Sequence, residues 1–144
     1  MIEKATLIEY GLFKKSSVGN LKETNISSPT GYFIITDDIL LIKETTKIKV
    51  DIGTVIGIKY HLGDSSNKGL TDFQCRILHP KLTNPKNNIS FSQTTEDKHN
   101  YANDTNFDFY EFEENWELVT GIWTFQIFVN NKLLLNQEFC LTVS

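Results

Sequence analysis

The sequence predicts an all-β domain of the sandwich type, and three observations support this. Apolar residues recur with a period of two in nearly every segment where a period can be measured. No stretch long enough to form a packed helix carries an apolar stripe at helical spacing, so helix content should be very low. The C-terminal segment from Gly121 reads as a long hairpin with one apolar face on each arm.

Taken in order, Lys4 to Phe13 is apolar on both faces and suits an inner strand or one that switches sheets. Ile48, Val50 and Ile52 alternate with Lys47, Lys49 and Asp51. From Thr54 to Leu62, one face carries Ile56, Ile58, Tyr60 and Leu62, and the other carries Val55, Gly57, Lys59 and His61. Phe73, Cys75 and Ile77 alternate with Gln74, Arg76 and Leu78, and His79-Pro80 is expected to end that strand because proline cannot donate to a ladder. Trp123, Phe125, Ile127 and Val129 share one face. Leu133, Leu135, Phe139, Leu141 and Val143 share another, with Gln137 as the exception. If both faces point into one core, Trp123 lies opposite Phe139 and Ile127 opposite Leu135. Such pairs require an odd loop, so Asn130, Asn131 and Lys132 are expected to form a three-residue loop with a bulge.

Ser16 to Thr30 and Pro80 to Asn106 read as irregular, the second with a short strand near Ile89 to Ser92. Neither separates two cores, so residues 1–144 are expected to form one domain. Short alternating strands without helices point to an immunoglobulin-like antiparallel β-sandwich, with a small up-and-down β-barrel as the alternative.

Composition narrows the function. A chain with 40% hydrophobic and 22% charged residues is an ordinary globular one. Its net charge of −4 and its single arginine, Arg76, argue against nucleic-acid binding, which needs a basic surface. The apolar run Ile39 to Ile42 is far too short to cross a bilayer, and Met1 to Thr6 carries charge where a signal peptide would be apolar. A soluble cytoplasmic protein is therefore expected. Cys75 shares a face with Phe73 and Ile77, whereas Cys140 shares one with Asn136, Glu138 and Thr142, so two reduced thiols are expected rather than a bridge. The sequons at Asn25, Asn88 and Asn103 are close to the number chance supplies.

No constellation of residues points to catalysis. Gly63-Asp64-Ser65-Ser66 matches the nucleophile block of Gly-Asp-Ser hydrolases, but no histidine follows His99 and no Asp-x-x-His exists to activate the serine. A turn between strands explains the segment. His61, His79 and His99 make no metal-ligand spacing and read as surface or edge residues. Glu96, Asp97, Asn103 and Asp104 lack the glycine and closing glutamate of a calcium loop. The scattered glycines form no phosphate loop. No cofactor and no metal are expected. The unusual stretch is Phe107 to Trp116, with aromatics interleaved among carboxylates. It reads as a strand bulged near Tyr110-Glu111, with Phe107, Phe109 and Phe112 in the core and the acids on a solvated face. Tyr110 and Trp116 are then the exposed rings and the candidate binding residues.

The opening Ala5-Thr6-Leu7-Ile8-Glu9-Tyr10-Gly11-Leu12-Phe13 resembles that of a bacterial family known as domain of unknown function 3859. So does the closing Trp116 to Ile127, with Gly121-Ile122-Trp123-Thr124-Phe125, then Lys132-Leu133-Leu134 and Phe139. His79-Pro80 and Asn84-Pro85 look like that family's central segment. The resemblance implies an immunoglobulin-like sandwich without established activity, and it brings no catalytic residues. The expectation is a non-catalytic module that binds a protein partner, or itself, through a sheet edge or loops. The alternative is a small-ligand or carbohydrate binder that uses exposed aromatics or an interior pocket.

Overall fold

Eleven strands follow one another: β1 (Lys4–Lys15), β2 (Leu21–Thr24), β3 (Tyr32–Ile35), β4 (Ile39–Lys43), β5 (Lys47–Val50), β6 (Val55–Gly63), β7 (Leu70–Asn84), β8 (Ile89–Tyr101), β9 (Thr105–Glu111), β10 (Gly121–Val129) and β11 (Lys132–Val143). Among the described residues a single 3₁₀ turn, Asn115–Glu117, lies between β9 and β10. The computed structural model describes residues 4–16, 20–63 and 69–143, so Met1 to Glu3 and the Asp64-Ser65-Ser66 part of the hydrolase-like block lie outside the described residues.

The strands make two facing sheets, β4-β1-β6-β9 and β5-β11-β10-β7-β8, and β2 and β3 pair as a separate hairpin. The pairings are antiparallel except for β5 on β11. Within the described residues β4, β9, β5 and β8 are open edges, so neither sheet closes on itself and the architecture is a sandwich rather than a barrel. Alternation decides what fills it. Ile56, Ile58, Tyr60 and Leu62 from one sheet meet Phe73, Cys75, Ile77, Trp123, Phe125, Ile127, Phe139 and Leu141 from the other. The strand apolar on both faces, β1, is indeed an inner one, between β4 and β6. On its outer side Phe13 joins Ile39 and Val55 in a second, smaller cluster. Cys75 is buried, Cys140 is exposed, and both are free thiols.

Four local expectations need correction. Trp123 does pair with Phe139 and Ile127 with Leu135, but the odd residue is not in the loop. Asn130 and Asn131 form a two-residue turn with φ of 51° and 62°, and Val129 pairs directly with Lys132. The extra residue is Leu134, bulged out of β11 between the Ile127–Leu135 and Phe128–Leu133 pairs. This bulge also turns Leu133 outward, to 44% exposure. Pro80 does not end its strand, because β7 continues to Asn84 through a ladder irregularity between Leu78 and Leu82 that needs no proline N–H. Gly121 (φ +146°) makes room for that proline, since a Cβ there would come 2.7 Å from the Pro80 ring. The stretch Pro80 to Asn106 is almost wholly extended, as the β7–β8 hairpin and the start of β9. Ile52 lies beyond β5 in the turn that follows it and is 50% exposed.

Candidate functional site

At one side of the sandwich the outermost strands β8 and β9 face each other from different sheets, joined by the short turn Ala102 to Asp104. Their inward positions are polar. Thr94, Glu96, Lys98 and Asn100 alternate along β8, and Asn106, Asp108 and Tyr110 along β9. The β9 face is set by its partner. Ile56, Ile58 and Tyr60 of β6 point inward and pair with Tyr110, Asp108 and Asn106, and directly opposed residues share a face. Gly57 permits the close approach, because a Cβ there would come 2.6 Å from the Asp108 carbonyl oxygen.

Buried polar groups must find partners, and several of these do so across the gap between the sheets. Lys98 Nζ lies 2.7 Å from Asp108 Oδ1 and donates to the Phe107 carbonyl at 2.9 Å. The Tyr60 hydroxyl donates to Asp108 Oδ2 at 2.6 Å. Asn100 Nδ2 donates to Asn106 Oδ1 at 2.8 Å. Burial pulls the Lys98 ammonium toward deprotonation, but Asp108 and Glu96 beside it outweigh that and leave it above its ordinary value. The Lys98 and Asn100 bonds tie the edge of one sheet to the edge of the other, and the Tyr60 bond holds Asp108 in place within its own sheet.

Alongside the tie is a cavity of about 320 Å³. Cys75 and Ile77 of β7 contribute to its lining, as do the inward residues of β8 and β9 and residues Tyr32 to Ile35 of β3. The β2–β3 hairpin forms a wall. Its Tyr32 hydroxyl donates to Glu113 Oε1 at 2.6 Å, Lys22 Nζ sits 4.7 Å above the Tyr32 ring, and Asn84 Nδ2 donates to the Pro29 carbonyl at 3.1 Å. Burial and then the Glu113 hydrogen bond raise the Tyr32 phenol above its usual range.

The far end of the cavity carries polar atoms without partners. Glu117, on the 3₁₀ turn, is fully buried, and neither carboxylate oxygen meets a hydrogen-bond donor in good geometry. The Tyr110 hydroxyl is likewise unpartnered, although the two groups are near enough to perturb each other. Burial pushes the Glu117 carboxyl up to about 7 against the opposing pull of the Tyr110 hydroxyl and the Glu113 backbone N–H, with the Glu113 and Glu114 charges adding to the rise. Burial also raises Glu96 to about 7, against the pull of Lys98. Burial, then the Asp108 charge, pushes the Cys75 thiol well up, which keeps it protonated.

Of the two candidate binding residues, Tyr110 is not an exposed ring. It is 8% exposed, with its ring packed on Trp123 (5.0 Å) and Phe112 (5.2 Å) and its hydroxyl end at the cavity. Trp116 is partly buried against the main core. The bulge expected near Tyr110-Glu111 is absent, and β9 pairs with β6 without interruption from Thr105 to Glu111. Phe112 is buried as expected, but the alternation runs opposite to the hydrophobic reading. Phe107 and Phe109 pack on the outer cluster with Phe13, Ile39 and Val55, while Asp108 goes inside. His79 also differs from the edge residue expected. It continues the inward alternation of β7 at 6% exposure and stacks 4.9 Å from Trp123. Its Nδ1 meets the Pro80 carbonyl at 2.8 Å, which can only accept, so Nδ1 carries the proton and Nε2 accepts from the Thr94 hydroxyl. Burial lowers its basicity and keeps the ring neutral.

Fold and site together define an immunoglobulin-like sandwich whose sheets part at one side around a cavity lined by both polar and apolar side chains. Residues 2–141 match the family described as domain of unknown function 3859 (DUF3859), and the chain belongs to that family. Among solved structures it is similar to an immunoglobulin-like protein from Pseudomonas aeruginosa. The TM-score is 0.66, the sequences are 20% identical, and the match covers 97% of this chain and 98% of the other. At that identity the likeness speaks for the fold alone. No curated protein matches the chain.

Proposed function

We propose that this protein is a small-ligand-binding module whose site is the cavity between β8 and β9, walled by the β2–β3 hairpin. One observation carries the reading, namely a partly open cavity of about 320 Å³ between the sheet edges, with the buried Glu117 carboxylate and Tyr110 hydroxyl on its wall outside good hydrogen-bond geometry. Protein interiors are close-packed, so space left between the sheets is unusual, and a buried polar group without a well-placed partner costs stability. A molecule in the cavity would fill that space and supply the missing partner. The volume is at the small end of the range for small-molecule sites. The reading is of binding without turnover, since the lining thiol, Cys75, is held in its unreactive protonated form.

A ligand-observed NMR fragment screen on the full chain tests this, repeated on Ile34→Trp, which fills the cavity from the hairpin side. Fragments that bind the native chain and are lost in a variant of unchanged melting temperature support the reading. Hits retained in the variant, or no hits at all, contradict it.

A second reading, self-association through a sheet edge, is favoured by β4. This strand is an open edge of its sheet among the described residues, with Leu40 46% and Ile42 57% exposed. Sedimentation across a wide concentration range should then show a dimer that the double change Leu40→Lys, Ile42→Lys disperses. A monomer throughout contradicts it.

A further inference from the structure

We propose that the cavity takes an organic cation, a protonated amine on an apolar body, with the Glu117 carboxylate and the Tyr110 hydroxyl receiving the ammonium group. This deepens the small-ligand reading above and rests on it.

The charge of the lining is the first argument. Glu96, Asp108, Glu113 and Glu117 line the cavity, with the Lys98 ammonium the one cation among the described lining residues. Two of these carboxylates are already engaged: Asp108 with Lys98 at 2.7 Å and Glu113 with the Tyr32 hydroxyl at 2.6 Å. An anionic ligand would enter a field of its own sign, which is strongly unfavourable in a buried site.

Glu117 is a fully buried side chain on the cavity wall whose oxygens have no partner in good hydrogen-bond geometry. The Tyr110 hydroxyl and the Glu113 backbone lie near enough to favour its ionised form, but neither brings a compensating charge. An ionised carboxylate can only accept hydrogen bonds, so what it lacks is a donor, preferably a charged one. An ammonium group brings three donors and a compensating charge. A neutral hydroxyl ligand would bring one donor and leave the charge uncompensated. The rest of the wall suits the body of such a ligand, with Phe33, Ile34 and Ile77 offering apolar surface and the Tyr32 ring a face already used by a cation, Lys22.

The third argument is linkage. Glu117, facing Glu113, Glu114 and Tyr110, and Glu96, facing Lys98, Asp108 and Glu23, are both held near 7 by burial. A bound cation would favour their ionised forms, so binding below neutrality should release protons.

The test is isothermal titration calorimetry of the full chain with three probes of one shape: 2-phenylethylamine, 2-phenylethanol and 3-phenylpropionate. At about pH 8 the amine should bind roughly tenfold or more tighter than the alcohol, and the propionate should be the weakest. Its affinity should fall by about tenfold toward pH 6, with proton release in buffers of different ionisation heat. Glu117→Gln should weaken the amine far more than the alcohol and so remove the preference, and Glu96→Gln should weaken the amine by a smaller factor. An alcohol that binds as tightly as the amine overturns the cation assignment and leaves the small-ligand reading standing. An amine affinity indifferent to both variants overturns it as well. If no probe binds, the cation assignment falls, and the fragment screen alone decides whether the cavity is a ligand site.

Discussion

The two sides of the sandwich interior are built from the same alternating strands yet hold opposite kinds of side chain. Around Trp123 the rings of His79, Tyr110 and Phe112 lie 4.9–5.0 Å away, and Phe125 meets Phe139 edge-on at 5.6 Å, so the space is filled. Between β8 and β9 the inward positions carry Glu96, Lys98, Asn106 and Asp108 instead. Those that find partners tie the sheets together, and Glu117 and Tyr110, which do not, border a void. Backbone alternation determines which side chains enter, and their chemistry determines whether the space closes. Tyr110 stands on the border, with its ring in the packed side and its hydroxyl at the cavity.

The comparison can be broken most severely at its packed side. Trp123→Ala should cost about 3–5 kcal/mol in urea denaturation, as other buried aromatic truncations do. A cost under about 1 kcal/mol would mean that side is not the structural core. On the polar side, Lys98→Met strands the buried Asp108 carboxylate and should cost about 3 kcal/mol. The double change Lys98→Met, Asp108→Asn should recover more than half of that, and strictly additive losses would show that the two groups are not coupled.

Glu117→Gln should act in the opposite direction. A rise from 4.5 to about 7 means the folded state prefers the protonated carboxyl. The stability tied to that proton is complete below about pH 4.5 and is lost as pH rises through about 7. Glutamine, neutral throughout, should therefore gain up to about 3 kcal/mol near pH 8 and nothing near pH 4. Denaturation curves at both pH values check this, and equal effects at the two would contradict it. The smallest effect sharpens the contrast between two tyrosines. Tyr60→Phe removes a hydrogen bond to a carboxylate and should cost about 1.5–3 kcal/mol, whereas Tyr110→Phe should stay within about 1 kcal/mol of neutral. Equal losses in thermal melts would mean the Tyr110 hydroxyl has a partner after all.

How much of this was legible in the sequence follows the same division. β6, β7, β10 and β11 bury one apolar face each, so their alternation named Ile56, Phe73, Trp123 and Phe139 as core and even paired Trp123 with Phe139. In β8 the inward residues are as polar as the outward ones, so a strand from Ile89 to Tyr101 left no periodic signal beyond a short piece. In β9 the signal was present and misleading. Phe107 and Phe109 are the more hydrophobic set, but the outer side of that sheet has its own apolar cluster to receive them. What would have reversed the assignment is the pairing of Asp108 with Ile58, a long-range fact that no local pattern contains. Glu117 gave no sign at all, because a carboxylate is drawn inside only by the turn that follows β9.

The account stands or falls on where a bound molecule sits. Backbone amide shifts of the full chain, recorded by NMR as a fragment hit is titrated in, locate it directly. The account expects the shifted amides to fall on β8, β9, β3 and the 3₁₀ turn at Asn115–Glu117, with the β10–β11 hairpin unmoved. Shifts centred on β10 and β11, or spread thinly over the whole surface, would contradict it.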